Sequence, residues 1–191
     1  MRQRLTRDFF LRDTIDVAVD LLGKRLVHVL PDGRRLCGRI VETEAYLGLE
    51  DPACHSYGGR RTPRTEVMFG PGGLSYVYFI YGMYFCFNVI TGAPGVPEAV
   101  LVRALEPLDG LEHDTHGPGR LCRALQISRE HNGIDMPSSR MLFLEDDGFE
   151  VPAHGIADGP RIGLNEREDA SQWPLRFGIA GHPHLSPAKF P

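Results

Sequence analysis

Lysine is scarce in this chain, because only Lys24 and Lys189 among its 21 lysine and arginine residues are lysines. An enzyme that forms a Schiff base with its substrate needs an amine nucleophile, such as that of a lysine. Neither lysine falls within the motifs described below, so the sequence argues against this form of covalent catalysis.

Cysteine is also sparse, and Cys37, Cys54, Cys86 and Cys122 form no CxxC pair, which disfavours a zinc knuckle or ribbon. The segment 1–13 is polar and charged, unlike a signal peptide, so we expect free buried thiols in a reducing compartment. No stretch approaches the roughly 18 apolar residues of a membrane span. These features predict a soluble, cytoplasmic protein with no membrane partner.

An overall excess of positive charge is missing as well, since the formal net charge is −4. This disfavours a nucleic-acid partner at first, because phosphates require local positive charge. The distribution is uneven, however: segment 1–40 has nine basic residues against five acids, and segment 141–169 has two against eight. An acidic far end could therefore cancel a basic binding face in the total. Ordinary variation in solvated surface charge is the alternative.

The 191 residues, 42% of them hydrophobic, suit one domain over 1–191 with a real core. We expect an α+β fold: a single domain with a mostly antiparallel, curved β-sheet, surrounding helices and a protruding aromatic β-hairpin. Thr14 precedes an apolar stripe that stops at Gly23, which predicts a capped short helix. Further strands are expected at 25–30 and 36–45, which flank a Pro-Asp-Gly turn, and at 99–105, 138–144, 156–162 and 175–179.

The aromatic run 76–87, YVYFIYGMYFCF, holds seven of the chain's seventeen aromatic residues. Strand alternation places Tyr76 and Tyr78 on one face and Phe79 on the other, and both faces lead into a Tyr-Gly-Met turn. Each tyrosine hydroxyl needs a partner or water, so four tyrosines suggest one partly wet face. Wet rings on a rigid ribbon can stack on a nucleobase, whereas a wholly buried hairpin is the alternative.

Two carboxylates, Glu42 and Glu44, end an apolar strand in the motif ETEAY, and the two-residue period places them on one face. An acid is unusual in such a strand. A carboxylate among apolar groups is a stronger base and can take a proton from water, so at least one of them is a candidate catalytic base. The alternatives are exposed edge charges, or an acid bonded to Arg39 or Arg103.

Arg60, Arg61 and Arg64 lie within five residues on a glycine-containing loop, with no acid between them. They are the best candidate phosphate clamp, because Gly58 and Gly59 let the backbone approach a ligand closely. A run of solvated loop charges is the alternative. The start of a predicted helix at 117–119 could also meet a phosphate, or be an ordinary helix entry. No HExxH or other metal-ligand spacing is present, so we predict neither a metal nor a cofactor.

The chain resembles the alkyladenine (3-methyladenine) DNA glycosylase family in four ordered strings: GRIVETEAYLG, HSYGGRRTPR, YVYFIYGMYFCFN and VLVRALEPLDG. The similarity runs from the helix after Thr14 to Ile127 and resumes at PLRFGIAGHP. Members of this family flip a damaged purine out of duplex DNA and hydrolyse its N-glycosidic bond, without a metal or a covalent intermediate. The resemblance implies base-excision repair of purines of the 3-methyladenine, 7-methylguanine, hypoxanthine and ethenoadenine class.

The resemblance also implies a role for individual residues. Glu44 matches the general base that activates the attacking water, and Glu42 matches the earlier acid of the same motif. Tyr46, His55 and Tyr78 match the residues that enclose the flipped base, and Asn88 matches the one that disfavours normal guanine. Tyr81, with Met83 beside it, matches the side chain that fills the gap in the base stack. Arg103 matches a residue that contacts the DNA backbone. We expect further backbone contacts from Arg60, Arg61 and Arg64.

With no lysine in these motifs, we expect a monofunctional enzyme that leaves an abasic site. The resemblance implies double-stranded DNA as the partner, and damage search by a small enzyme is compatible with a monomer. Two other classes of function stay open. One is a binding domain that reads a distorted DNA backbone without chemistry, against which the ETEAY motif argues. The other is a small-molecule hydrolase with Glu42, Glu44 and His55 in its pocket, which lacks a nucleophile elbow or a metal motif.

Overall fold

A computed structural model of the chain describes residues 2–164, 169–188 and 190. Within these residues, three α-helices accompany nine β-strands. The helices are α1 (Arg7–Phe10), α2 (Thr14–Asp20) and α3 (Pro118–Ala124). The strands are β1 (Gln3–Arg4), β2 (Arg25–Val29), β3 (Arg35–Tyr46), β4 (Ser75–Ile80), β5 (Tyr84–Thr91), β6 (Glu98–Pro107), β7 (Leu142–Asp146), β8 (Ile156–Gly159) and β9 (Arg176–Ile179).

All nine strands belong to one sheet. Its main path runs β1-β7-β2-β3-β6-β5-β4, and β9 pairs with both β3 and β8. Each of these pairings is antiparallel. The expectation of an α+β fold with a mostly antiparallel sheet is therefore confirmed.

The first long helix, α2, begins one residue away from the predicted cap. Asp13 is the N-cap, and its carboxylate accepts hydrogen bonds from the backbone N–H groups of Ile15 (2.9 Å) and Asp16 (3.2 Å). Thr14 is buried instead, with its hydroxyl 2.7 Å from that of Thr91 on β5. The acid satisfies two free donors at the start of the helix, so the threonine hydroxyl is free to bind the sheet.

Two predicted strands are shorter than expected, for local reasons. β7 begins at Leu142 rather than at 138, because the Ser139 hydroxyl accepts from the N–H groups of Met141 and Leu142 and forms a turn there. β8 ends at Gly159, since Pro160 has no N–H to donate to a neighbouring strand. The residues after Pro160 consequently leave the sheet, and they become part of the site described below.

The basic N-terminal segment meets the acidic segment inside this sheet. β2 and β7 are neighbours, and Arg25 on β2 lies opposite Glu145 on β7, with 3.4 Å between guanidinium and carboxylate. Arg39 on β3 makes two 3.0 Å hydrogen bonds to Asp147. The uneven charge is therefore largely paired within the fold, and these arginines do not form the basic binding face that their number suggested.

The described residues form three buried apolar clusters, two of which include residues of the aromatic hairpin. The larger includes Val17 of α2 and Leu121 of α3, both fully buried, together with Val77 and Phe87 of the aromatic hairpin. The smaller cluster contains Cys54, Met68, Tyr76, Ile90 and Ala99. Because Cys54 comes from the long loop after β3, this second cluster fixes that loop against β4 and so positions its neighbour His55.

All four cysteines are buried and free. Burial is the main cause that raises the pKa of the Cys54 and Cys122 thiols, which keeps them in the uncharged form. Among the residues that the structure describes, no three or more His, Cys, Asp or Glu side chains form a group that could hold a metal ion. No helix in the same residues is long and apolar enough to cross a membrane.

Candidate active site

A cavity of about 270 Å³ lies where three distant parts of the chain meet. They are the aromatic hairpin β4–β5, the end of β3 with the loop that follows it, and the segment after β8. The cavity is lined by aromatic and polar side chains that include Tyr46, His55, Tyr76, Tyr78, Asn88 and Arg103, and by residues 162–164. The four residues predicted to form a base pocket, Tyr46, His55, Tyr78 and Asn88, therefore line one cavity.

Glu44 is fully buried directly behind this cavity. Its carboxylate accepts hydrogen bonds from the Tyr46 hydroxyl (2.8 Å) and the Ile162 backbone N–H (2.7 Å), and an Nη of Arg103 lies 3.2 Å away. All three partners line the cavity. The expectation that apolar groups surround this carboxylate is thus wrong. Polar groups hold it in a fixed orientation, and these groups separate it from the cavity.

Glu42 shares Arg103 with Glu44 but is bound mainly by the C-terminal part of the chain. Its carboxylate accepts from the backbone N–H and the hydroxyl of Ser186, both at 2.7 Å, and lies 3.3 Å from an Nη of Arg176. The Nε of Arg103 is also 3.3 Å from Glu42. The shared arginine shows that both acids project from one face of β3, as predicted, and that both are paired with Arg103.

Arg103 is consequently buried, unlike an arginine that contacts phosphates at the protein surface. Only 7% of the residue is exposed, and its guanidinium lies between the two carboxylates at the cavity wall. Contact between Arg103 and the DNA backbone stays a prediction. In the structure its charge balances the acids and orients Glu44.

His55 forms one wall of the cavity through contacts with β4. Its Nδ1 is hydrogen bonded to the Tyr76 hydroxyl at 2.9 Å, and its ring meets Tyr78 edge to face, with 4.6 Å between ring centroids. Burial, and then the charges of Arg64 and Arg60, lower the pKa of His55 to about 4. The imidazole is therefore uncharged at neutral pH.

We expect His55 to titrate near pH 4 instead of near its ordinary value of 6.5. Between these values the unfolded chain binds a proton that the folded protein excludes, so the stability contributed by this group is lost as the pH falls through that window. NMR titration of the imidazole protons measures the midpoint. In Arg64→Gln the midpoint should move upward, because one repelling charge is gone; a native midpoint at 6.5 would contradict the buried placement.

The tip of the aromatic hairpin is a tight turn over residues 80–83, closed by a hydrogen bond from the Met83 N–H to the Ile80 carbonyl (3.1 Å). Both central residues have positive φ, 54° at Tyr81 and 65° at Gly82, as a type I′ turn requires. A tyrosine in this region is strained, on the order of 1–3 kcal/mol. The Tyr81 and Met83 side chains are the most exposed large apolar groups described, at 67% and 69%, and Tyr81 also borders the cavity.

The three loop arginines are exposed but differ in their contacts. Arg61 makes two hydrogen bonds to Glu66, of 2.8 and 2.6 Å, so an acid just beyond the run already pairs with it. The Arg64 guanidinium lies 5.1 Å from the ring centroid of Tyr78, next to the cavity wall. After burial, the charges of Arg64 and Arg60 are the further causes that lower the pKa of His55.

Sequence reasoning missed several contacts that build the site. Tyr76 binds His55, the Ile162 backbone N–H binds Glu44, and a buried pair between Asp51 and Arg161 lies behind both. Arg161 is the one basic residue in the segment 156–162, which was predicted as a strand, and this was a detectable signal. A backbone donor such as the Ile162 N–H carries no side-chain signal at all.

Comparison with known proteins decides the family. The family model described as Methylpurine-DNA glycosylase (MPG) matches residues 8–183. The chain belongs to this family. The match includes the two acids of β3, the aromatic hairpin and the segment after β8, so it covers every part of the cavity. The resemblance drawn from the four sequence strings is confirmed.

Individual relatives agree with the family match. A protein of Bacillus cereus (strain ATCC 10987 / NRS 248) is 47% identical, over 93% of this chain and 96% of its own length. One from Bacillus mycoides (strain KBAB4) is 48% identical, over 93% of this chain and 97% of its own. Both carry the name "Putative 3-methyladenine DNA glycosylase". The glycosylase described here is thus a DNA-repair hydrolase that acts on N-glycosyl bonds in DNA.

Proposed function

We propose that this glycosylase extrudes damaged purines from duplex DNA and hydrolyses their N-glycosidic bond with a water that Glu44 activates. The observation that carries the proposal is that the three groups bound to Glu44 all line the aromatic cavity. A base stacked in B-DNA cannot be reached, so it must leave the helix at a cost of a few kcal/mol, which is smaller for a damaged base. The cavity is the pocket that would receive it.

Aromatic rings in the pocket would offset this cost. Stacking of a base on an aromatic side chain contributes about 1 to 3 kcal/mol, and Tyr46, His55 and Tyr78 supply three rings. A cationic alkylated purine gains further from electron-rich tyrosine rings, and an uncharged His55 adds no repulsion to it. Asn88 is held rigidly by a 3.0 Å hydrogen bond from its side-chain amide to the Tyr76 carbonyl, as exclusion of the guanine amino group would require.

The reaction would proceed by direct attack of water. The Glu44 carboxylate accepts a proton as the water oxygen bonds to the anomeric carbon, and the N-glycosidic bond breaks with its electron pair leaving on the base. The same negative charge stabilises the oxocarbenium-like transition state, and direct attack inverts the anomeric centre. Lys24 is bonded to Asp146 (2.7 Å) in another part of the sheet, and Lys189 lies outside the described residues. We therefore propose no lyase step, so an abasic site is the product.

The exposed tip of the hairpin would open the duplex. An apolar wedge that enters the minor groove can unstack a base step and fill the gap that an extruded base leaves. Tyr81 and Met83 supply such a wedge at the rim of the cavity. Because one turn carries both side chains, insertion of the tip would place the gap in the stack next to the pocket.

Base release from duplexes that each carry one lesion tests this function. The panel contains hypoxanthine, 3-methyladenine, 7-methylguanine and ethenoadenine, together with an undamaged duplex as control. We expect free base, followed by strand cleavage only after alkali treatment. Release of no base in a single-turnover assay would favour a binding domain without chemistry, and cleavage before alkali would reveal a lyase step.

The loop arginines should set the salt dependence of duplex binding. Each phosphate contact contributes about 0.9 to the slope of log K against log salt concentration, so Arg60→Ala and Arg64→Ala should each flatten it by about one unit. Arg61→Ala should change the slope less, because Glu66 already pairs with Arg61. Arg34→Ala, on the turn between β2 and β3, is the matched exposed control. An unchanged slope in the first two variants would place the loop off the interface.

A further inference from the structure

A buried ion pair between Asp51 and Arg161 lies behind the cavity, and neither residue lines it. Both side chains are 0% exposed, and the guanidinium makes two hydrogen bonds to the carboxylate, of 2.5 and 2.8 Å. Such a pair is weak evidence for stability alone, because the loss of hydration offsets the attraction. Its remaining contacts point to a more specific role.

Arg161 connects to Glu44 and to Tyr46. One Nη donates to the Ala45 carbonyl between these two residues (3.0 Å), and the guanidinium lies 4.7 Å from the centroid of the Tyr46 ring. The next residue, Ile162, donates its backbone N–H to the Glu44 carboxylate. The position of the Arg161 side chain therefore controls the position of the Tyr46 ring, which is one pocket wall, and of the Ile162 N–H, which donates to the proposed base Glu44.

Asp51 connects to the opposite wall. Its carboxylate accepts from the backbone N–H groups of Leu47 and Ala53, both at 3.0 Å. Ala53 lines the cavity and lies two residues before His55. The same carboxylate that binds Arg161 thus holds the loop that carries the His55 ring.

We propose that Asp51 and Arg161 are positioning residues, which fix the width of the slot between Tyr46 and His55 and the orientation of Glu44. The proposal rests on the proposed function of this site. Bound groups react only when they are held in a near-attack geometry, and a misplacement of about 1 Å can lower the rate on the order of 10²-fold. Because neither residue touches the cavity, the effect passes through Tyr46, His55 and the Ile162 N–H.

Arg161→Lys tests this role. Lysine keeps the charge and can bind one Asp51 oxygen, but it lacks the planar fork that reaches both oxygens and the Ala45 carbonyl together. In single-turnover base release at saturating enzyme, we expect the rate constant to fall about 10- to 100-fold. The reaction amplitude, which reports the fraction of active molecules, and the affinity for undamaged duplex should stay within twofold of the native values. Asp51→Asn is a second variant, should Arg161→Lys fail to fold.

The chain offers a close match for this arginine elsewhere. Arg39 also makes two hydrogen bonds to an aspartate, Asp147, donates to a backbone carbonyl, that of Gly23 (2.8 Å), and lies over an aromatic ring, that of Phe149 (4.1 Å). It does not line the cavity. We expect Arg39→Lys to lower the thermal stability but to leave the rate constant unchanged.

The outcomes separate the two proposals. A lower amplitude with an unchanged rate constant in Arg161→Lys and Asp51→Asn would show a purely structural role and overturn the inference. An equal loss of rate in Arg39→Lys would overturn it too, because the effect would then be general. If the native protein releases no base from any lesion duplex, the proposed function itself fails, which the native arm shows without any variant.

Discussion

Replacing Glu44 with glutamine is expected to lower the rate of base release by about 10²- to 10⁴-fold and to leave duplex binding unchanged. Glutamine has nearly the same shape, so the cavity keeps its walls. It cannot take a proton from water, and its amide carries no charge to stabilise an oxocarbenium-like transition state. The Tyr46 hydroxyl, the Ile162 N–H and Arg103 all donate to the Glu44 carboxylate. In the glutamine variant, the side-chain NH₂ group would therefore face another donor instead of accepting from it.

Glu42→Gln is the matched control for this variant. Glu42 lies two residues earlier on β3 and shares Arg103, but its oxygens bind Ser186 and Arg176. We expect its single-turnover rate to remain within about tenfold of the native rate, well above that of Glu44→Gln. Retained turnover in Glu44→Gln, or an equal loss in both variants, would contradict the role of Glu44 as base. Binding is measured on the same lesion duplexes by fluorescence anisotropy.

The parts of this site that follow from short-range periodicity could be predicted from sequence. Glu42 and Glu44 share a face because a strand repeats every two residues, and their shared arginine reflects that. Tyr76 and Tyr78 line one cavity for the same reason. The turn at Tyr81-Gly82 follows from the glycine and from the strands on either side. In each case the backbone geometry within a few residues determines the arrangement.

The parts that depend on the long-range path of the chain could not be predicted in this way. The two hydrogen-bonded rings His55 and Tyr76 are 21 residues apart, and Asp51 and Arg161 are 110 apart. Nothing local in either sequence segment specifies its partner. The Ile162 N–H is a backbone group, which every residue except proline has. The Ile162 N–H donates to Glu44 only because of the fold: β8 ends before Pro160, and the chain then leaves the sheet and passes next to Glu44.

The same contrast applies to charge. The sequence shows how many arginines and acids there are, but the pairing of β2 with β7 decides that Arg25 meets Glu145. A net charge of −4 therefore says little about the surface that faces DNA. What matters is which arginines lie near the cavity on an exposed loop, and Arg60 and Arg64 are in that position.

Removing the Glu42 side chain is expected to destabilise the protein strongly. Glu42→Ala should lower the free energy of unfolding by about 3–5 kcal/mol, as for other buried charge pairs that lose one partner. Glu42 is 0% exposed, and its loss leaves the buried Ser186 N–H without its acceptor and removes one of the two acids that balance Arg103. Urea titration at neutral pH, with a common m-value, measures the change.

Two further variants show whether this cost comes from the buried network. Glu42→Gln keeps an oxygen that can accept from Ser186, so it should lose clearly less stability than Glu42→Ala. Glu66→Ala removes an exposed acid that pairs with Arg61, and solvent screening should leave the unfolding curve unchanged. If Glu42→Ala were as stable as Glu66→Ala, Glu42 would not hold the C-terminal segment in place. The buried contacts of Glu42 with Ser186, Arg176 and Arg103 predict the opposite result: Glu42 both stabilises the fold and orients Arg103.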